Sequence, residues 1–297
     1  MAQNSETIRP RKSVAEEIRL HFDRLTPTER KPAQTLLANY PIAGLETVAR
    51  FADRAGVSGP TILRLIAKLG FSGYAEFQRV LRDELQAQLE SPLTRQPPTE
   101  GHGQPRKKNF LNQFGEAVID NIRQTLEAIH ASEFDAVVDL LTDDRKPVNL
   151  IGGRFSSSVA SYLYQHLHTL RPSVNLISGP QSGWRNHLLD TGRRHVVLVF
   201  DIRRYQSDVI RFAEESARRG ATVVLFTDQW LSPVSGVARH VLSARVTAPS
   251  SWDSSAAMFV ISEALISRVS EKLWPSVKAR IEEMDRMLNR PSGAERN

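Results

Sequence analysis

The chain has 297 residues, of which 40% are hydrophobic, and a net charge of +6. This length suits two domains, and the hydrophobic share is sufficient for a buried core in each. The absence of cysteine excludes disulfides, thiolate metal sites and a cysteine nucleophile. No apolar run reaches the roughly 18 residues of a membrane-spanning helix, and no signal peptide is recognisable, so the sequence predicts a soluble cytoplasmic protein without membrane contact.

Residues 13–90 have helical periodicity and are predicted to form an all-helical domain of five helices. Apolar residues recur at helical spacing from its start, at Val14, Ile18, Phe22 and Leu25. Thr26 and Glu29 have the spacing of a capping box, with Pro27 at the first helical position, which predicts a second helix start. A last helix is predicted over residues 73–89.

The segment 47–69, TVARFADRAGVSGPTILRLIAKL, is typical of a helix-turn-helix. Gly56 can adopt the left-handed conformation that ends a helix, and the small Ala52 precedes it by four residues. Ser58 is placed as the N-cap of the next helix, with Pro60 in its first turn. An ordinary helical hairpin with a glycine turn is the alternative.

The second helix of this segment is predicted to enter the major groove of double-stranded DNA. Its apolar stripe leaves Thr61, Arg64, Ala67 and Lys68 on the exposed side. The candidate DNA contacts are Ser58, Gly59, Thr61, Arg64 and Lys68. Nearly all of the basic excess lies in residues 1–108, as attraction to phosphates requires.

A linker and a second domain follow. Residues 91–108 are rich in proline and glycine, which predicts a linker, and end in a basic triplet, Arg106, Lys107 and Lys108. Residues 109–275 begin with a helical pattern over 110–129 and then alternate helical patterns with short apolar runs. The five runs are 148–151, 174–177, 196–200, 223–226 and 241–242. This alternation predicts a flavodoxin-like α/β domain with a five-stranded parallel sheet. Residues 276–297 are predicted to be helical and then disordered.

Ligands of such sheets bind beyond the carboxyl ends of the strands. The predicted effector-binding residues therefore lie in two loops: Gly153, Arg154, Ser156 and Ser157 after the first strand, and Asp201, Arg203, Arg204, Tyr205 and Ser207 after the third. Hydroxyls, helix-terminal amides and guanidinium groups suit a small anionic metabolite. Pairing of the two arginines with Asp201, Asp208 or Asp228 is the structural alternative. No cofactor or metal-ligand pattern is recognisable.

From Val14 to Lys272 the chain resembles the RpiR-type bacterial transcription regulators, which join a helix-turn-helix domain to a sugar isomerase (SIS) domain. The resemblance rests on L-T-P-T-E-R-K at Leu25–Lys31, on A-G-V-S-G-P-T-I-L-R at Ala55–Arg64 and on K-L-G-F-S-G-Y-A-E-F at Lys68–Phe77. It implies an operator-binding regulator, not an enzyme, controlled by a small ligand, often a phosphosugar. It also implies a homodimer or homotetramer assembled through SIS domains.

One loop departs from the family pattern. Where the family commonly has a Ser-x-Ser-Gly-x-Thr phosphate loop, this chain has Asp201–Gln206, without those hydroxyls and with Arg204 at the glycine. Three interpretations remain open: a remodelled effector site, a different anionic effector, or a purely structural SIS dimer. The alternatives of another class are a DNA-binding architectural protein and a sugar-phosphate isomerase. The general base of an isomerase would be sought among His166, His168, His187 and Glu263.

Overall fold

A computed structural model describes residues 13–90, 93–95 and 109–288. Residues 1–12, most of the predicted linker with its basic triplet, and the end of the tail lie outside the described residues. The chain divides into two compact units, Met1–Leu89 and Glu90–Asn297. In the parts of the chain that the structure describes, no helix is long and apolar enough to cross a membrane.

The first unit is helical. Its α-helices are α1 (Val14–His21), α2 (Pro27–Ala38), α3 (Ile42–Leu45), α4 (Val48–Ala55), α5 (Gly59–Lys68) and α6 (Tyr74–Leu89). Thr26 and Glu29 form the predicted capping box at the start of α2. The short helix α3 was not predicted, because four residues are too few to show a helical period. The core is centred on Phe51, Ile62 and Phe77, none of which is exposed.

The turn between α4 and α5 has the predicted form. Gly56 ends α4 with a φ of 62°, and Val57 N donates to Ala52 O at 3.0 Å. Ser58 is the N-cap residue of α5, although its hydroxyl contacts the Thr61 hydroxyl at 3.0 Å instead of capping an amide. These contacts fix the direction in which α5 leaves the turn, so the helix-turn-helix prediction is confirmed.

The second unit is an α/β domain. It begins with α7 (Phe110–Ala128) and α8 (Ala131–Thr142), and its strands are β1 (Val148–Gly152), β2 (Val174–Ile177), β3 (Val196–Asp201), β4 (Thr222–Asp228) and β5 (His240–Ala244). The remaining helices are α9 (Ser157–Leu170), α10 (Gln181–Asp190), α11 (Ser207–Arg218), α12 (Ala256–Lys272) and α13 (Trp274–Leu288). All strand pairs are parallel, in the order β2-β1-β3-β4-β5. The predicted five-stranded parallel sheet is confirmed.

Helices cover both faces of this sheet. α7, α8, α9 and α12 pack on one side, and α11 packs on the other with α10 beside it. β3 is buried along its whole length, which explains its continuous apolar sequence. The chain reverses its direction of winding between β1 and β3, so the carboxyl ends of these two strands border a crevice open to a ligand.

Candidate functional sites

The exposed side of α5 carries most of the predicted DNA contacts. Ser58, Arg64 and Lys68 are exposed, and Gly59 is half-buried. Arg64 has no carboxylate partner among the described residues, and its guanidinium donates only to the Thr61 hydroxyl, at 3.2 Å. A guanidinium in this state keeps most of its donors for a phosphate or a base edge.

Thr61 was predicted to lie on the exposed side of α5, but the structure shows that only 3% of it is exposed. Its hydroxyl is hydrogen-bonded to the Ser58 hydroxyl and accepts a hydrogen bond from Arg64 Nη2. The helical period alone placed Thr61 on the exposed side of α5, whereas the structure buries it with its hydroxyl hydrogen-bonded to Ser58 and Arg64. The geometry makes Thr61 a positioning residue for Arg64.

Lys68 has an intramolecular partner. Its Nζ lies 2.7 Å from the carboxylate of Glu29, which is the capping-box residue of α2. Burial alone would raise the pKa of Glu29, but the Lys68 ammonium and the Thr26 donors hold it below its ordinary value. Lys68 therefore ties α5 to the start of α2, and only part of its charge is available to a phosphate.

A cavity of about 470 Å³ lies in the second unit at the carboxyl ends of β1 and β3. Six of the predicted effector-binding residues line it: Gly153, Arg154, Ser156, Asp201, Arg203 and Arg204. Ser157, Tyr205 and Ser207 are not in its lining. The loop before α12 forms the opposite wall with Ser251, Trp252, Asp253 and Ser255.

The loop after β1 is built by close backbone approach. A Cβ on Gly152 would lie 2.6 Å from Ser157 Cα, so only glycine fits there. The Ser156 hydroxyl is buried, accepts from Gly153 N at 2.9 Å and donates to Phe200 O at 2.6 Å. This serine therefore joins the ends of β1 and β3 and does not present its hydroxyl to a ligand.

Arg203 is held within the protein, with only 2% of its side chain exposed. Its Nε donates to Asp253 Oδ2 at 2.9 Å, Nη2 donates to Asp253 Oδ1, and the guanidinium stacks over Trp230 at 4.3 Å from the ring centroid. From the sequence, its expected partner was Asp201, Asp208, Asp228 or a bound anion. The partner is instead Asp253, because a buried guanidinium requires a charge partner and the loop before α12 folds over the site.

Asp253 also binds Arg95, a residue that sequence reasoning assigned to the linker and not to the site. Arg95 Nη1 lies 2.8 Å from Asp253 Oδ1, and Arg95 Nε lies 3.2 Å from Glu90 Oε2. The Ser251 hydroxyl donates to Arg95 O at 2.7 Å. The four charged groups form a chain along one wall of the cavity, and no local sequence pattern indicates a contact between residues so far apart.

Two buried carboxyl groups lie at the ends of β3 and β4: Asp201, which is part of the cavity lining, and Asp228. Burial raises the pKa of Asp201 to about 7, although the Ser232 hydroxyl and Gln206 N donate to it. Burial raises the pKa of Asp228 to about 6, although Tyr205 and two backbone amides donate to it. Tyr205 and Asp201 therefore shape the loop through contacts inside the protein.

The residues considered for an isomerase base lie away from the cavity lining. His166 packs against Tyr162, His168 stacks on Tyr164, and Glu263 accepts from the Tyr162 hydroxyl. His187 is exposed on α10. No group of three or more metal-ligating side chains occurs within the residues that the structure describes.

Comparison with known proteins agrees with this division of the chain. Residues 12–88 match the family described as helix-turn-helix domain, rpiR family, and residues 141–268 match the SIS domain. The chain is 30% identical over 149 residues to the HTH-type transcriptional regulator HexR of Pseudomonas aeruginosa, a match that spans 50% of each protein. This chain therefore covers no more than half of the length of these curated relatives, which are 30% identical to it.

Solved structures show the same folds. The sugar isomerase domain of an RpiR transcription factor from Sphaerobacter thermophilus superposes with a TM-score of 0.57 at 23% identity, covering 60% of this chain and 99% of that one. The Vibrio vulnificus NanR protein, complexed with ManNAc-6P, superposes with a TM-score of 0.52 at 17% identity, covering 93% of this chain and 98% of that one. At these identities the likeness concerns the fold.

Proposed function

Since this chain belongs to the RpiR-type helix-turn-helix regulators and joins that domain to a SIS domain, we propose that it binds a double-stranded DNA operator under the control of a small anionic metabolite. The metabolite, a phosphosugar or a similar anion, binds the SIS domain, and the SIS domain also forms the dimer. Occupancy changes DNA affinity because the ligand and the operator favour different arrangements of that dimer.

The observation that carries the DNA-binding part is Arg64 on α5. It is exposed on the second helix of a helix-turn-helix and has no carboxylate partner among the described residues. The second helix of this motif is the one that enters the major groove. Arg64 is the base-reading or phosphate-binding cation of that helix, and Lys68 contributes less because Glu29 holds it.

One feature of the cavity and one similarly folded protein support the anionic ligand. Arg154 and Arg204 are exposed and line its wall. The similarly folded NanR was solved with a sugar phosphate. A catalytic role has no comparable support, because the candidate bases lie outside the lining.

An exposed apolar stripe on α7 supports the dimer. Leu111, Ile119 and Leu126 are 70%, 57% and 50% exposed, and their spacing places them along one side of the helix. Apolar side chains in a row are removed from water when a second copy covers them. In the proposed dimer, this apolar stripe packs against the same stripe on α7 of a partner chain.

The DNA-binding part is tested with Arg64→Ala and a genomic fragment selected for binding to the wild-type protein. Loss of a base contact costs about 1–3 kcal/mol, or roughly five- to 150-fold in affinity, in a gel-shift titration at fixed salt. Arg79→Ala is the matched control, since Arg79 is an exposed arginine on α6. Unchanged affinity for Arg64→Ala would mean that α5 is not the recognition helix.

A further inference from the structure

The inner end of the crevice between β1 and β3 is occupied by a side chain of the protein itself. Gln206 Oε1 accepts a hydrogen bond from Arg154 N at 3.0 Å. A Cβ built on Gly153 would lie 3.2 Å from the same oxygen, so the amide fills the space beside that glycine. Gln206 thus places a neutral acceptor where a ligand oxygen would meet the loop after β1.

Four further amides of this loop and of the helix that follows it are also used internally. Gly153 N donates to Phe200 O at 3.0 Å as well as to the Ser156 hydroxyl. In the first turn of α9, the amides of Ser157, Ser158 and Val159 donate to carbonyl oxygens of residues 153, 155 and 156. Protein sites for a phosphate group depend on free amides of this kind. A phosphate dianion at this crevice would have to displace an existing hydrogen bond to take any of these four amides or that of Arg154, whereas the amides of Phe155 and Ser156 have no partner among the described residues.

The charges around the cavity leave two cations without a partner. Arg203 and Arg95 are both neutralised by Asp253, and Arg95 additionally by Glu90. Arg154 and Arg204 are exposed lining residues that pair with no carboxylate in the described part of the chain. Their guanidinium groups are the donors that remain for an anion. A planar guanidinium matches a carboxylate with two parallel hydrogen bonds.

Next to these cations the cavity has an aromatic wall. Phe155 and Trp252 pack edge to face with ring centroids 5.7 Å apart, and each is 56% exposed. Arg154 lies over the Phe155 ring at 5.2 Å. Large aromatic side chains that remain exposed on a cavity wall offer a flat apolar surface to a ring of a ligand.

From these observations we infer that the cavity binds a carboxylate attached to a ring in preference to a phosphate ester. The carboxylate pairs with Arg154 and Arg204, and the ring lies against Phe155 and Trp252. This inference rests on the proposed function, because it names the chemical class of the anion that the SIS domain senses. A sugar acid and an aromatic acid share this chemistry.

The test uses the full chain with glucuronate, benzoate, glucose 6-phosphate, inorganic phosphate and glucose in thermal-shift and calorimetric titrations. Glucuronate or benzoate should raise Tm and bind at least tenfold more tightly than glucose 6-phosphate. Binding of glucuronate would identify the ligand as a sugar acid, and binding of benzoate would identify it as an aromatic acid. Arg154→Ala and Arg204→Ala should each weaken that binding about tenfold. Arg145→Ala, an exposed arginine outside the lining, should leave it unchanged.

Gln206→Thr provides a gain-of-function arm. It frees Arg154 N and leaves a hydroxyl at the N-cap of α11, so glucose 6-phosphate should now bind at least tenfold more tightly than it binds wild type. Tighter binding of glucose 6-phosphate than of either acid by the wild type overturns the inference. If glucose 6-phosphate binds more tightly than either acid and also releases the operator from the protein, the proposed function stands although the inference fails. If no probe binds, the inference and the ligand-sensing part of the proposed function both fail, while operator binding is judged by the Arg64 titration.

Discussion

At the scale of single residues, the two adjacent arginines of the loop after β3 have opposite environments. Arg203 is enclosed by Asp253 and Trp230, whereas Arg204 is exposed and has a φ of 63°. A residue other than glycine in this left-handed region is strained by about 1–2 kcal/mol. Two residues with the same side chain therefore have different roles: Arg203 is part of the cavity wall, and Arg204 is the one that we propose to contact the ligand.

Replacing Arg203 by Ala should lower the free energy of unfolding by about 3 kcal/mol, since it breaks a buried ion pair. The loss of stability is moderated because Asp253 is 25% exposed and retains its ion pair with Arg95. Arg204→Ala in the same loop should change stability by less than about 0.5 kcal/mol. Urea unfolding of both variants measures this difference, and equal losses would show that the Arg203–Asp253 pair does not hold the wall.

Asp201 should make stability depend on pH. Its carboxyl group has a pKa of about 7 in the folded chain against 3.8 for an ordinary aspartate, so the folded state binds more protons between these values. The free energy of unfolding therefore falls as pH rises from about 4 to 7, by an amount on the order of 2–4 kcal/mol.

Asp201→Asn, which cannot ionise, should remove much of this fall in Tm between pH 5 and pH 8. Asp190→Asn, at an exposed position on α10, is the control and should follow the wild-type profile. A wild-type Tm that rises over this range, or an Asp201→Asn profile parallel to wild type, would contradict the assignment.

At the scale of elements, a short stretch of the predicted linker is attached to the cavity wall. Arg95 is 14% exposed at its side chain, binds Asp253 and Glu90, and accepts from Ser251 through its carbonyl. Residues 251–254 form an irregular loop, and these contacts hold it together with the Arg203–Asp253 ion pair and the hydrogen bond from Ser254 N to Val246 O. Arg95 thus connects the described part of the predicted linker to the cavity wall.

Arg95→Ala should loosen the loop that it holds. Amide hydrogen exchange of residues 250–255 should be at least threefold faster in Arg95→Ala than in wild type, because local opening becomes easier. Arg123→Ala breaks an exposed ion pair on α7 and serves as the control. Identical exchange in wild type and Arg95→Ala would mean that Arg95 does not anchor the loop.

At the scale of the whole molecule, one helix-turn-helix offers few contacts to DNA, and specific binding in this class comes from a symmetric dimer on two half-sites about 34 Å or a multiple apart. Light scattering of the full chain at micromolar concentration should give the mass of a dimer or a larger oligomer. Ile119→Asp together with Leu126→Asp should give a monomer and weaken operator binding more than tenfold. Both side chains are exposed in one chain, so folding is retained.

The control for this experiment is Leu189→Asp on α10, which is 73% exposed and lies outside the α7 stripe. It should remain a dimer with unchanged operator affinity. A wild-type monomer would remove the dimer from the proposed function. If Leu189→Asp dissociates the dimer and the α7 variant does not, the dimer interface lies on the side of the sheet that carries α10.

Local patterns in the sequence were enough to predict both folds. The glycine, N-cap and proline at Gly56, Ser58 and Pro60 predicted the helix-turn-helix, because each acts within a single turn of chain. The apolar runs predicted the five parallel strands and thereby the location of the cavity, because strands buried on both faces need apolar residues at every position. The placement of Gly153, Arg154 and Arg204 at the cavity followed from this rule alone.

The partners of these residues were decided by tertiary structure. Arg203 binds Asp253, Gln206 binds Arg154 and Arg95 binds Asp253, and in each pair the residues are separated by roughly 50 positions or more. Such contacts depend on strand order and on how the loop before α12 folds back, neither of which is written in a local period. Even the burial of Thr61, within one turn, depends on the side chains that fold over it. The sequence by itself therefore determined which elements form and where a ligand cavity opens, whereas tertiary packing decided which charges face that cavity free of a partner.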